Sequence, residues 1–203
     1  MANRIWEKNK VSQEDLERIA ASEQIEWEML AGKTVLITGA TGLIGSLLAR
    51  GLVCASRTRG LDIRVLAFVR NQEKAERIFE NYLDAGLEIV TGDVTKPVET
   101  LAPVDYIFHT ASVTASKDFV DRPVETILTT LKGTENLLEF AKQKQVRGMV
   151  YLSSMEAYGI VDEAHYNVRE TDYGYIDPLK VRSSYSEGKR MAEGLCGAYA
   201  HEY

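Results

Sequence analysis

Tyr185 and Lys189 stand four residues apart in the run Tyr-Ser-Glu-Gly-Lys. On a helix that spacing brings both side chains to one face. A tyrosine hydroxyl, with an ordinary pKa of about 10, is a poor base at neutral pH unless a nearby ammonium stabilises the tyrosinate. Such a pair can move a proton to and from a substrate hydroxyl, although the same spacing also occurs as an ordinary exposed pair. A second chemical signal is Thr38-Gly39-Ala40-Thr41-Gly42-Leu43-Ile44-Gly45, whose glycines follow a G-x-x-G-x-x-G spacing between the β-rich VLIT and the helical SLLARGL. Glycine is needed where a chain turns sharply out of a strand, where backbone approaches a pyrophosphate with no Cβ in the way, and where helix packs closely on sheet. The helix amino terminus then offers unpaired N–H groups and the positive end of its dipole. Strand, glycine turn and helix in that order point to dinucleotide binding.

The next strand bears on which dinucleotide. An acid at its end accepts hydrogen bonds from the adenosine ribose and selects NAD, whereas an arginine accommodates the extra phosphate of NADP. Here the segment reads Val65-Leu66-Ala67-Phe68-Val69-Arg70-Asn71, with no acid. Arg70 favours NADP over NAD unless it is only a solvated surface residue.

The order of the motifs narrows the reading. After the glycine turn comes Leu152-Ser153-Ser154-Met155-Glu156-Ala157-Tyr158-Gly159 at a strand's end, and then the Tyr/Lys helix. From about Lys33 to Tyr203 the chain resembles the amino-terminal, cofactor-binding part of an extended short-chain dehydrogenase/reductase, in the NAD-dependent epimerase/dehydratase group that acts on nucleotide sugars. The resemblance rests on TGATGLIG, GDVT at Gly92 to Thr95, HTAS at His109 to Ser112, GTENLLEFA, SSMEAYG and YSEGK, in the family's order. It implies that Gly39, Thr41, Gly42 and Gly45 hold the pyrophosphate, with the backbone of Leu43 and Ile44 close to it. Asp93 would accept from the adenine amino group with Val94 beside the ring, although Asp93 also reads as a turn former after Gly92. Thr110, Ala111 and Ser112 would line the nicotinamide half. Ser154 would hydrogen-bond the reacting oxygen, with Ser153 its structural neighbour. Tyr185 would be the acid/base, and Lys189 would bind the nicotinamide ribose while lowering the tyrosine pKa.

The chemistry so implied is transient oxidation of a sugar hydroxyl, with hydride passing to the nicotinamide as Tyr185 takes the proton. Glu156 bears on the outcome, because 4,6-dehydratases and the related decarboxylases of this group carry S/T-x-E. A carboxylate two residues from Ser154 could abstract the acidified proton beside the new ketone; it could equally be a hydrogen-bonding or solvated Glu. Met155 stands where a dehydratase often has an acidic proton donor, and a thioether cannot supply a proton. Thr130 stands where the family often has the Asn that supports the Tyr/Lys pair. The expected function is thus an NAD(P)-dependent nucleotide-sugar epimerase or dehydratase. The alternatives are an NADP-dependent carbonyl reductase of the same superfamily and a non-catalytic dinucleotide-binding protein. The resemblance also implies a homodimer through a four-helix bundle of the helix near 124–142 and the Tyr185 helix.

The elements that must position these groups follow from composition and pattern. With 203 residues, 45% hydrophobic and 27% charged, the chain has the make-up of a soluble globular domain. A net charge of −6 gives no electrostatic reason for a nucleic-acid partner. No apolar run approaches the roughly 18 residues of a membrane span, and MANRIWEKNK has no apolar segment behind it of the secretory type. The two cysteines, Cys54 and Cys196, form no paired motif, and His109, His165 and His201 have no metal-ligand spacing, so a cytoplasmic, metal-free protein is expected. His109 reads as a packed residue at the end of a strand.

From Lys33 onward short β-rich runs alternate with amphipathic ones, which predicts an α/β, Rossmann-like, doubly wound parallel sheet with helices on both faces. Strands are expected at 34–38, 63–69, 87–90, 106–109 and 149–153. One helical stripe, Val124, Ile127, Leu128, Leu131, Leu137, Leu138 and Ala141, starts at Pro123. That stripe fits both the dimer bundle and ordinary sheet packing. A last helix is expected over 185–203, and the 25 or so residues before it have no clear period, as in a substrate-facing loop. Residues 1–31 form a helical extension before the dinucleotide-binding domain at 32–203, with Ser12 and Asp15 resembling a capping box and Ile25, Met29 and Leu30 a second short helix. The chain stops where the family continues into further strands and a carboxyl-terminal substrate lobe. The resemblance therefore implies part of a longer protein, with a sheet incomplete at its carboxyl-terminal end.

Overall fold

Strand β1, Thr34–Thr38, is buried at all five positions, and β2, Arg64–Val69, at all but its first. Such strands bury both faces, which is why they read as apolar runs without alternation. The computed structural model describes residues 7–99, 103–162 and 167–203. In it β1 pairs in parallel with β2, from Thr34 opposite Arg64 to Thr38 opposite Phe68, and with β4, Tyr106–His109. β2 in turn pairs in parallel with β3, Leu87–Thr91. With β5, Gly148–Tyr151, the five-stranded sheet has the order β3-β2-β1-β4-β5. This is the order in which the chain reverses direction across the sheet between β1 and β4, leaving a crevice at their carboxyl ends.

The chain divides into two compact units. The first comprises Met1–Asp93, Glu99–Ala111 and Lys144–Val150, and so contains the sheet. Its helix α1, Lys10–Ala21, starts from Asn9, whose side chain accepts from the Val11 and Ser12 N–H groups. The expected cap at Ser12 is therefore corrected: Ser12 lies inside the helix, and the cap stands three residues earlier. Leu16 and Ala20 are buried in the same core as β1 and β2. The next turn, a 3₁₀ segment at Trp27–Leu30, also departs from expectation, burying Trp27 while Ile25 and Met29 stay exposed. The indole gains more by burial and satisfies its N–H on the Ser22 carbonyl at 3.0 Å. Helix α2, Leu43–Arg59, runs from Gly42 to a left-handed cap at Gly60. Helix α3, Gln72–Phe79, is capped by Asn71. Asp105 ties the start of β1 to residues beside β4 and β5, accepting from Thr34 N–H at 3.0 Å and Arg147 at 3.1 Å, and these bonds hold its carboxyl below the ordinary range.

The second unit comprises Val94–Val98, Ser112–Gln143 and Tyr151–Tyr203. It holds the short α4, Asp118–Asp121, the long α5, Pro123–Lys144, a 3₁₀ turn at Met155–Tyr158, and α6, Ser183–Glu202. The apolar stripe expected on α5 is only half correct. Leu137, Leu138 and Ala141 are buried, but Val124 and Leu128 are exposed, and the first half of the helix buries Thr126 and Thr130. Each of Thr126, Thr130 and Thr134 satisfies its hydroxyl on a backbone carbonyl, Asp118 O, Thr126 O and Thr130 O respectively, so a polar residue costs little there. These small side chains let Gly188 of α6 come close to Ile127 and Thr130.

The segment before α6 is anchored at several points. Ile160 and Tyr175 form an antiparallel bridge. Arg190 of α6 donates to the carbonyls of Ala157, Tyr158 and Gly174 at 2.8, 3.1 and 3.1 Å. His165 lies outside the described residues. Among the described residues no helix is long and apolar enough to cross a membrane, and no group of three or more His, Cys, Asp or Glu could hold a metal ion.

Candidate dinucleotide turn and proton-transfer site

In the first unit the glycine turn links β1 to α2 at the crevice between β1 and β4. Gly39 has a φ of +65°, and a Cβ there would lie 2.8 Å from the backbone N and Cα of Ala111. A Cβ on Gly45 would lie 2.5 Å from the Gly39 carbonyl oxygen and 2.7 Å from Thr110 Oγ1. Gly42 donates its N–H to the Gly39 carbonyl at 2.9 Å and caps α2. The turn is thus compressed against the end of β4 so tightly that two of its glycines have no room for a side chain. Thr110 closes the same corner, donating its hydroxyl to the Thr38 carbonyl at 2.7 Å, and Thr38 Oγ1 accepts the Ala111 N–H at 3.3 Å. His109 is buried at 1% exposure with Nδ1 2.7 Å from Thr38 Oγ1, so it is packed as the sequence indicates.

This corner fits a dinucleotide pyrophosphate. Gly42 leaves its backbone exposed, Gly39 is half-buried and Gly45 is buried where the helix closes on the turn, and the first N–H groups of α2 lack intrahelical acceptors. Thr41 is half-buried in the turn, while the Leu43 and Ile44 side chains point into solvent at 90% and 59% exposure and leave their backbone accessible. Arg70 is exposed just beyond β2, beside the Asn71 that caps α3. Asp93 is half-buried. Gly92, which the sequence marks only as part of GDVT, proves to be a packing requirement, because a Cβ there would run into the Phe68 ring.

In the second unit Val94 is buried, and its carbonyl accepts from Asn136 Nδ2 at 2.8 Å. Asn136 falls within the GTENLLEFA motif, but nothing in the sequence assigns it this bond to Val94. Ser112 is half-buried, with its hydroxyl donating to the Val113 carbonyl at 3.3 Å.

The same unit carries the Tyr/Lys pair on α6, as its spacing predicts. Tyr185 is 8% exposed and Lys189 3%. Lys189 Nζ donates to the Leu152 carbonyl at 2.7 Å and lies 4.7 Å from the centre of the Tyr151 ring and 5.8 Å from that of Tyr185. Burial lowers the Lys189 ammonium to about 8, with Glu193 opposing the shift. Burial also pushes the Tyr151 phenol up, so this neighbour stays protonated. Ser154 caps the 3₁₀ turn, accepting from the Glu156 N–H at 3.2 Å, and Ser153 is exposed. Thr130 donates within its own helix at 3.1 Å and is thereby engaged where the family often has Asn.

Glu156 is held by three donors. Arg182 grips both carboxylate oxygens at 2.8 and 3.0 Å, and Ser186 Oγ adds a third bond at 3.0 Å. The hydrogen bonds from Arg182 are the first cause that keeps this carboxyl below its ordinary pKa, which makes it a weaker base. Met155 is 84% exposed. Two neighbours escaped sequence reading altogether, Arg182 and Phe119; the Phe119 ring stacks on Tyr185 with centroids 4.2 Å apart and planes 7° from parallel.

The lowered Lys189 pKa has a consequence for stability. Between about 8 and the ordinary value of 10.5 the unfolded chain holds a proton that the folded chain has released, so stability rises with pH across that window. Lys189→Met should lack this rise, which amounts to as much as about 3 kcal/mol. Urea unfolding of both proteins on either side of the window measures it; an identical pH dependence in the variant would show that the ammonium is not desolvated.

The parallel order of the sheet, with a glycine turn at the crossover, defines a Rossmann-type nucleotide-binding fold. The chain belongs to the NAD dependent epimerase/dehydratase family, whose model matches residues 35–203. It is 34% identical over 168 residues to UDP-glucuronic acid decarboxylase 2 of Arabidopsis thaliana, a match covering 83% of this chain and 36% of that protein. Among solved structures it is similar to UDP-N-acetylglucosamine 4-epimerase from Methanobrevibacter ruminantium M1, with a TM-score of 0.70, 20% identity, and coverage of 85% of this chain and 52% of that one. It is also similar to dTDP-glucose 4,6-dehydratase from Bacillus anthracis in complex with NAD, with a TM-score of 0.63, 21% identity, and coverage of 84% and 51%. The chain thus spans about a third of the length of the curated relative and half of each solved one.

Proposed function

We propose that this chain carries the cofactor-binding and proton-transfer parts of an NAD(P)-dependent enzyme that oxidises a nucleotide-sugar hydroxyl transiently. The observation that carries the reading is the buried Lys189 beside Tyr185 on one helix face, its Nζ 5.8 Å from the centre of the tyrosine ring. A dinucleotide held at the glycine turn would supply the hydride acceptor for the carbon bearing the hydroxyl and the hydride for its return. Tyr185 takes the hydroxyl proton, Lys189 stabilises the resulting phenolate, and Ser154 donates its hydroxyl to the nascent carbonyl oxygen.

Of the possible outcomes, decarboxylation of a uronic-acid nucleotide has the most support. Oxidising the ring carbon next to the one that bears the carboxylate gives a β-keto acid. The bond to the carboxylate then breaks, its electron pair passes into the ketone to give an enolate, carbon dioxide leaves, and the carbon that lost it takes up a proton from water. That route requires no protein base to abstract a carbon-bound proton and no acid to expel a hydroxide. It therefore suits a Glu156 already engaged by Arg182 and a Met155 that cannot donate a proton. The similarity to UDP-glucuronic acid decarboxylase 2 supports the same substrate class.

Arg70 suits the extra phosphate of NADP, so NADP is expected to bind no more weakly than NAD. A homodimer through α5 and α6 belongs to the same reading, since Val124, Leu128 and Met191 leave apolar side chains exposed on those helices. Calorimetric titration with each dinucleotide tests the cofactor site. Saturable binding of at least one is expected, and binding of neither contradicts the proposal.

A further inference from the structure

We propose that Arg190 positions Ser154, by clamping the 3₁₀ turn that Ser154 begins onto the helix that carries Tyr185 and Lys189. The inference rests on the reading above, in which these three side chains serve one substrate hydroxyl. Arg190 donates Nε to the Ala157 carbonyl at 2.8 Å and Nη2 to the carbonyls of Tyr158 and Gly174, both at 3.1 Å. Carbonyls at the end of a helical turn lack donors within it, so a side chain that reaches them fixes where the turn sits. The Ala157 N–H in turn donates to the Ser154 carbonyl at 3.0 Å, so one residue separates the guanidinium from Ser154. Gly174 belongs to the returning chain, whose N–H at Gly174 donates to the Tyr158 carbonyl at 2.7 Å and which bridges Ile160 through Tyr175. The return is close: a Cβ on Gly159 would run into the Tyr175 carbonyl, and one on Gly174 into that of Ile160.

The place of Arg190 on the helix ties this clamp to the chemistry. Arg182, just before α6, and Ser186 and Arg190 within it recur every four residues, so they lie along one stripe, one residue round from Tyr185 and Lys189. The whole stripe holds the Ser154 turn. Arg182 and Ser186 bond the Glu156 carboxylate near its start, and Arg190 takes the carbonyls at its end. Neighbouring stripes of one helix thus carry the proton-transfer pair and the dock for the turn, which fixes the level of Ser154 along α6. Three N–H groups of a planar guanidinium meet three carbonyls here, an arrangement that an ammonium on a flexible stem does not reproduce. Arg190 is a positioning residue and need not touch substrate.

The test compares Arg190→Met and Arg190→Lys in the full chain with UDP-glucuronic acid and NAD or NADP. Arg190→Met should lower kcat by roughly ten- to a hundredfold with KM little changed, the loss that follows when a group at the reacting oxygen is misplaced by about 1 Å. Arg190→Lys should fall between it and wild type, and carries the comparison if Arg190→Met does not fold. The same substitutions introduced into Ser154→Ala should add no further loss, because the residue they misplace is already gone. Multiplied losses, or a rise in KM alone, overturn the inference and leave Arg190 a general support of the fold. Hydrogen exchange without substrate tests the clamp by itself. Arg190→Met should speed exchange of the Ala157, Gly159 and Gly174 amides by about tenfold or more and leave those of β1 unchanged. Unchanged exchange at the three amides overturns the clamp. Wild-type protein that turns over no nucleotide sugar would instead overturn the reading on which the inference rests, with the exchange result still deciding whether Arg190 holds the turn.

Discussion

Gly39→Ala is expected to abolish saturable dinucleotide binding and to destabilise the protein by about 2–4 kcal/mol. Two costs combine at this position. The left-handed backbone, with φ at +65°, disfavours any residue with a Cβ by about 1 kcal/mol. The Cβ would also meet the backbone N and Cα of Ala111 at 2.8 Å, and backbone cannot swing aside as a side chain can. Relief requires the turn to move away from the end of β4, which displaces the N–H groups offered to the pyrophosphate. Gly60 supplies the control, with a φ of +69° and nothing within 4 Å of its Cβ position. Gly60→Ala should show the backbone cost alone and leave binding intact. Thermal unfolding and calorimetric titration of both variants measure the difference; equal behaviour of the two would mean that contact with Ala111 contributes nothing.

Tyr185→Phe is expected to lower turnover on the nucleotide-sugar substrate by about a thousandfold, within the range that positioned acid/base groups supply. It should change stability by less than about 1 kcal/mol, because the buried ring and its stack on Phe119 are retained. Dinucleotide affinity should also persist, since the glycine turn is untouched. Loss of the hydroxyl alone thus separates proton transfer from folding and from cofactor binding. A variant that turns over at the wild-type rate would remove Tyr185 from the mechanism.

The central strands were legible because β1 and β2 are buried on both faces, leaving apolar runs such as Thr34–Thr38 and 65–69 between polar connections. The turn and the Tyr/Lys face were legible for a related reason, since each depends on residues adjacent in sequence and on fixed local geometry. What could not be read depends on partners distant in sequence. Nothing in the run around Phe119 announces a stack on a tyrosine 66 residues later. Arg182 looks like any surface arginine until the turn at Glu156 folds against the start of α6. On α5 the period was right and the chemistry misleading, because threonines that bond their own helix can be buried in place of Val124 and Leu128. At α1 the cap read at Ser12 falls inside the helix, because Asn9, three residues earlier, takes the capping position.

The central claim is that a hydride leaves the sugar and comes back to it. The most direct measurement supplies UDP-glucuronic acid carrying deuterium on the carbon to be oxidised, together with NAD or NADP, and follows the label by mass spectrometry and NMR. Transient oxidation predicts a product one carbon dioxide lighter that retains the deuterium, with no net reduced dinucleotide. Stoichiometric deuterated NADH or NADPH beside an oxidised sugar would instead identify a simple dehydrogenase and contradict the account.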